Sequence, residues 1–184
     1  VTISIDTSKA DVAAAALEAG AHIVNDVTGA RDPNIIKVTA AADAALVLMH
    51  MRGTPDTMMK QTEYQDLFAD ISHYLEQQIN LAKTAGIKTV IADPGIGFAK
   101  NAQQNYQLMQ AIDRFHSLGV PLLVGPSRKS FIGHITGQVA AERVEGTIAA
   151  CIICAIQQVQ ILRVHDVLAV SRALKVTEAI QNAS

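Results

Sequence analysis

Residues 67–93 read LFADISHYLEQQINLAKTAGIKTVIAD, and this one stretch contains both periodicities that decide the fold. Leu67, Ile71, Leu75, Ile79 and Ala82 recur every three or four residues. A helix over 67–85 therefore has an apolar face, while Asp70, Glu76, Gln77 and Lys83 face water. Gly86 ends it, because a left-handed C-cap costs least at glycine. The β-branched run 89–92 follows at once and gives way to Asp93, as in a short buried strand with an ionisable residue at its end. A helix with one apolar face followed by a buried strand is part of a βα repeat.

The same alternation extends in both directions. Strands are predicted at 2–5, 22–25, 45–49, 89–92, 122–125 and 161–164, and helices at 10–19, 34–41, 67–85, 103–117, 140–158 and 168–180. Gly20 and Gly119 stand at further helix ends, and no Ser/Pro-rich linker divides the chain, so residues 1–184 are expected to form one α/β domain. Repeated βα units build either an open doubly wound sheet or a closed barrel, and strand order cannot be read directly from sequence. No GxGxxG follows the first strand and no Walker loop occurs, which disfavours a dinucleotide or nucleoside triphosphate as ligand.

Composition sets outer limits. The 184 residues are 49% hydrophobic and 17% charged, with net charge −2, enough apolar material for one sizeable core. No run of about 18 apolar residues suggests a membrane span, and no secretory signal opens the sequence, so a cytoplasmic protein without membrane partners is expected. Near-neutral charge without clustered Lys and Arg argues against a nucleic-acid surface. Cys151 and Cys154 lie three apart in AACIICAI with no second Cys or His pair beside them, so they read as small buried hydrophobes rather than a metal site.

Most informative are the strand ends. The predicted strands end in, or run directly into, Asp6, Asn25, His50, Asp93, then Ser127-Arg128-Lys129, then Arg163 and His165. In a parallel βα protein these ends converge on one rim, where ligands bind in both barrel and doubly wound folds. Asp and Asn are also ordinary caps and turn formers, but that does not explain six polar strand ends in succession. Asp6, Asn25 and Asp93 offer acceptors to a flat heterocycle bearing ring NH and amino groups. Lys129, Arg163 and His165 offer cations, and Arg163 and His165, two apart on a strand, are expected on one side, as a phosphate or pyrophosphate would require.

The segments SIDTSKADVAAAALEAGAHIVNDV, LMHMRGTPDTMM, DPGIGFAKN, GPSRKSFIG and ILRVHDV, in this order and spacing, resemble the dihydropteroate synthase family across essentially the whole chain. The pterin domains of methyltetrahydrofolate methyltransferases, which act with a corrinoid partner, share the Asp, Asn and DPG positions without the SRKS and RVHD pair, and are the alternative. A non-catalytic pterin-binding remnant is a third reading. The resemblance implies a (β/α)8 TIM-barrel fold with about six of eight βα units in this chain. It implies transfer of a dihydropterin from its 6-hydroxymethyl diphosphate to para-aminobenzoate, giving dihydropteroate and diphosphate in folate biosynthesis, with sulfonamides as inhibitors. Such a substitution depends on leaving-group stabilisation and positioning rather than on a strong base.

By the same resemblance Asp6, Asn25 and Asp93 hold the pterin edge, Val27 and Met49 line its pocket, Lys129 contacts the ring, and Gly125 lets the ring approach backbone. Arg163 and His165 take the diphosphate, Ser130 meets the para-aminobenzoate carboxylate at a helix start, and Phe98 packs on its ring. Val27 and Met49, judged from the residues alone, read as core. His50 and Arg52 match family positions after the third strand, where direct contact with the ligand and support from behind it are both open, and His22, His73, His116 and His134 read as surface or helix positions. A homodimer is implied, as is Mg2+ held by a ligand in preceding strand-helix units, with no metal ligand among the residues named here. Two such units open the family's fold and are absent from these 184 residues. The isolated chain is therefore expected to aggregate or oligomerise and to lack synthase activity, the gap separating Asp6 from Arg163. Gln158-Val159 replaces the Gly-Ala that the family carries before its last strand, at a cost of about 1 kcal/mol if the left-handed conformation persists.

Overall fold

The computed structural model describes residues 1–183. Six strands run in the order β1 (Ser4–Asp6), β2 (Ile23–Asp26), β3 (Ala45–Met49), β4 (Val90–Asp93), β5 (Leu123–Val124) and β6 (Ile161–Leu162). The helices between and after them are α1 (Ala10–Glu18), α2 (Pro33–Ala41), α3 (Leu67–Thr84), α4 (Ala102–Gln110), α5 (Ser130–Thr136), α6 (Val144–Ile156) and α7 (Val167–Gln181). No helix among the described residues is long and apolar enough to cross a membrane.

Strand order separates the two architectures that sequence leaves open. The first four strands pair in parallel as β1-β2-β3-β4, β5 pairs in parallel with β6, and a parallel bridge between Ala92 and Leu122 joins the two groups. Each strand thus neighbours its successor, without the reversal that defines a doubly wound sheet. The array is also strongly curled. In a flat sheet the first and sixth strands would stand about 24 Å apart, five spacings of about 4.8 Å. Here the Arg163 guanidinium, just past β6, pairs with the Asp6 carboxylate of β1. Sequential parallel strands curled until side chains at the ends of the first and last meet make a TIM-barrel-type (βα) fold with six units among the described residues.

Side-chain alternation divides the core in two. Val24, Leu46, Leu48, Val90, Ala92, Leu122 and Val124 face outward into a large cluster with helix residues such as Ile71, Leu75, Ile79 and Phe115. Val47, Ile91 and Leu123, with Ile23 and Ile161, form a second cluster inside the curl. Two residues further along each strand, on the same inner face, stand Asn25, Met49, Asp93, Gly125 and Arg163, and Asp6 joins them in register with Asn25. The apolar interior layer is therefore the floor of a polar one.

Local sequence explains several element ends. Asp66 caps α3 by accepting from the Phe68 and Ala69 amides, and Asn101 with Gln104 forms a reciprocal capping box on α4. The helix predicted at 103–117 is broken. It leaves α geometry at Ala111 and continues as a 3₁₀ segment, Ile112–Leu118. Gln157 serves both sides of the break, donating to the Met109 carbonyl at 2.8 Å and accepting from the Asp113 amide at 3.4 Å. The helix predicted at 140–158 begins only at Val144, after a 3₁₀ turn at Ala140–Glu142, and α5 lies outside the helices read from periodicity, beginning at Ser130 where the resemblance implies a helix start.

Candidate active site

On the polar layer, Asn25 donates to the Asp6 carboxylate at 2.7 Å, and Arg163 pairs with the other oxygen of that carboxylate. The gap expected between Asp6 and Arg163 is therefore bridged by their side chains, because the curl brings the outer strands together. Asp93, buried at the end of β4, accepts the Gly95 amide at 2.7 Å. Burial raises its carboxyl above the ordinary range, opposed by the positive charges of Lys129, Lys100 and Arg163.

Lys129 reaches across from the start of α5. Its ammonium donates to the Ile96 carbonyl and lies 4.5 Å from the centroid of the Phe98 ring. Burial lowers it to about 8, against the opposing pull of Asp93. Gly97, at φ +81°, permits this course, since a Cβ there would meet Lys129 Cδ at 2.7 Å. Gly125 is different: a Cβ would meet only Arg163, at an ordinary 3.8 Å, so nothing within the chain demands glycine.

The expectation that Arg163 and His165 share one strand face needs correction, because β6 ends at Leu162 and strand alternation does not extend to His165. His165 is instead tied to the loop after β5. Its backbone amide donates to Ser127 Oγ at 3.2 Å, and the same hydroxyl shares a hydrogen bond with His165 Nδ1 at 2.9 Å. Arg128, at φ +57°, forms a bidentate pair with Asp166 at 3.0 and 2.6 Å, so the loops after β5 and β6 are fastened together twice.

Ser130 is exposed at the first position of α5, a helix of only seven residues, and Phe98 is half-buried with its ring against Lys129. Met49 is buried beside Asp93 in register, whereas Val27 is half-buried just past β2. His50 is buried, and burial with the nearby charges of Lys100 and Arg52 lowers it to about 3, so it is neutral. Arg52 pairs with Asp70 at 2.9 Å and stacks on Tyr64. His22, His73 and His134 are exposed, and His116, half-buried, faces the Gln157 carbonyl at 2.9 Å. Cys151 and Cys154 are buried free thiols, as expected. Among the described residues no three His, Cys, Asp or Glu side chains are grouped to hold a metal ion.

Three functional candidates escaped the sequence reading. Asp26 is wholly buried and organises the β2–α2 loop, accepting from the Thr28 amide and hydroxyl and the Ala30 amide at 2.7–2.9 Å. Lys100 is buried behind Asp93, where its ammonium meets His50 Nδ1 at 3.1 Å and the Gly95 and Phe98 carbonyls at 3.0 and 2.9 Å. Asp166, the last residue of VHD, anchors Arg128.

The family profile described as pterin binding enzyme matches residues 1–165. The chain is 47% identical over 184 residues to the dihydropteroate synthase of Synechocystis sp., covering 98% of this chain and 64% of that protein. Two structures of the dihydropteroate synthase from Thermus thermophilus, one in complex with 6HMPPP and one with 4-aminobenzoate, superpose with TM-score 0.96 at 43% identity over 99% of this chain. They are covered to 73% and 75% of their own length. With its rim residues, strand order and family match in agreement, the chain belongs to the pterin-binding enzyme family.

Proposed function

We propose that this chain carries the pterin-binding and diphosphate-binding rim of a dihydropteroate synthase. The observation that carries the reading is the inner polar layer, where Asp6, Asn25 and Asp93 stand beside Lys129 and Arg163 above an apolar floor. Asp93 and Asn25 suit the ring NH and amino donors of a dihydropterin, with Asp6 sharing the Asn25 amide, while Val27, Met49 and the bare Gly125 backbone bound the ring. Arg163, released from Asp6 by a more highly charged ligand, would take the diphosphate with His165, and Lys129 would span ring and leaving group. The amine nitrogen of para-aminobenzoate then bonds to the 6-methylene carbon as the bond from that carbon to the diphosphate oxygen breaks. The proton lost by the amine goes to the departing diphosphate or to solvent, and the cations neutralise the departing charge. Ser130 and Phe98 are assigned the carboxylate and ring of para-aminobenzoate.

The described residues offer no fitting metal cluster, so no step is assigned to magnesium. Exposed Ile153 and Ile156 on α6 and Val176 and Ile180 on α7 are side chains a second copy would cover, which supports a homodimer. Lys129→Ala and Arg163→Ala, made in a chain extended by the two strand-helix units that the resemblance implies, are expected to lower turnover at least ~10-fold, the scale of a lost charge-assisted contact to developing diphosphate. Turnover near that of the parent in both variants would overturn the site assignment.

A further inference from the structure

Lys100 is a large, fully buried side chain with no carboxylate in ion-pair contact among the described residues, and the chemistry proposed above does not use it. Its three partners belong to two loops. His50 follows β3, while Gly95 and Phe98 belong to the turn after β4. Gly95 is the hinge of the arrangement, for its amide donates to the Asp93 carboxylate while its carbonyl accepts from Lys100. The turn admits no other residue there: Gly95 has φ +74°, and a Cβ would lie 2.0 Å from the His50 carbonyl oxygen. The ammonium, the Gly95 residue and the Asp93 carboxylate thus form one hydrogen-bonded line from the interior to the rim.

We infer that Lys100 is a positioning residue acting through Asp93: it fastens the Gly95–Phe98 turn to His50 and supplies a countercharge behind the Asp93 carboxylate. A buried ammonium without an ion-pair partner is costly and usually yields its proton. Burial lowers Lys100 to about 7, and Asp93 opposes that shift. The charged groups facing Asp93 are Lys129 from the β5–α5 loop, Lys100 from the β4–α4 loop and Arg163 past β6. Lys100 is faced in addition by Lys129, Arg52 and neutral His50. Cys154 on α6, raised by burial to about 12, stays a neutral thiol. Removing the Lys100 charge leaves Lys129 and Arg163 as the cations favouring ionised Asp93, so the Asp93 carboxyl should titrate at higher pH.

The inference rests on the pterin reading of Asp93 for its functional meaning, but its test begins without ligand. The Asp93 γ-carbon NMR signal, assigned with Asp93→Asn, is followed against pH in the chain extended by the two strand-helix units, unsubstituted and as Lys100→Gln, which can still donate hydrogen bonds. The expected result is a midpoint raised by about half a pH unit or more in Lys100→Gln. In the unsubstituted chain the Asp93 signal should also carry a second inflection where the Lys100 ε-carbon titrates. An unmoved midpoint overturns the inference. A missing second inflection does so even where Lys100→Gln fails to fold. The second arm follows a dihydropterin probe: loss of affinity on the acid side should move up in pH by the same amount in Lys100→Gln. A uniform loss across pH would mark Lys100 as merely structural. A moved Asp93 midpoint with no pterin binding to the unsubstituted chain at any pH would overturn the pterin reading and leave the Lys100–Asp93 link standing.

Discussion

A lysine can serve as an anion ligand only while it holds its proton, and Lys129 holds its proton less firmly than a surface lysine. Lowered to about 8, it is mostly charged at neutral pH and loses charge as pH rises through that value. Affinity for inorganic pyrophosphate should therefore fall above about pH 8, by up to about tenfold per unit. Lys129→Arg keeps its charge and shares the ligand's own titration, so the ratio of the two affinities isolates the effect. A ratio constant from about pH 7 to about pH 10 would remove Lys129 from the anion site. At this scale the sequence was most legible where polar residues terminate apolar strands, as at Asn25 and Asp93. It was opaque at Lys100, because a lysine a few residues beyond a Pro-Gly turn start looks like solvated loop. Only the packing of two loops shows it buried.

Among the elements, regular periodicity was the reliable guide: α3 and β3 lie where their patterns put them. The break between α4 and the 3₁₀ segment was illegible, since the Gln157 side chain that satisfies its backbone groups comes from 44 residues away. Periodicity does not show α5, whose start at Ser130 only the resemblance implies, because a glycine interrupts a helix of only seven residues and another ends it. Gln158 was readable. The sequence expects a strained left-handed residue between α6 and β6, and Gln158 has φ +61°. Its side chain is exposed, so Gln158→Gly is expected to stabilise the chain by about 1 kcal/mol, the scale of the left-handed penalty. In thermal unfolding this corresponds to a rise of about 2–4 °C. A lowered midpoint would show that the side chain contributes contacts exceeding the backbone strain.

For the molecule as a whole, parity matters more than any single residue. The curl turns one face of every strand inward, so an apolar layer of Ile23, Val47, Ile91, Leu123 and Ile161 obliges the residues two further on to meet at one mouth. Sequence could supply the alternation and the polar ends. It could not supply strand order or the contact of Asp6 with Arg163, which exist only once the sheet has curved. That geometry gives the mouth two functions, an acceptor side centred on Asp93 and a cationic side centred on Arg163, and they should fail separately. Titration calorimetry of the chain extended by the two strand-helix units with 6-hydroxymethyl-7,8-dihydropterin diphosphate, the same pterin without diphosphate, and inorganic pyrophosphate tests this directly. Asp93→Asn should weaken both pterins by about tenfold or more and change pyrophosphate affinity far less, because a buried ring donor then faces an amide. Arg163→Ala should weaken pyrophosphate and the diphosphate pterin by a similar factor while affecting the bare pterin far less. Equal effects of both substitutions on all three ligands, or none on any, would contradict a rim divided between pterin and diphosphate.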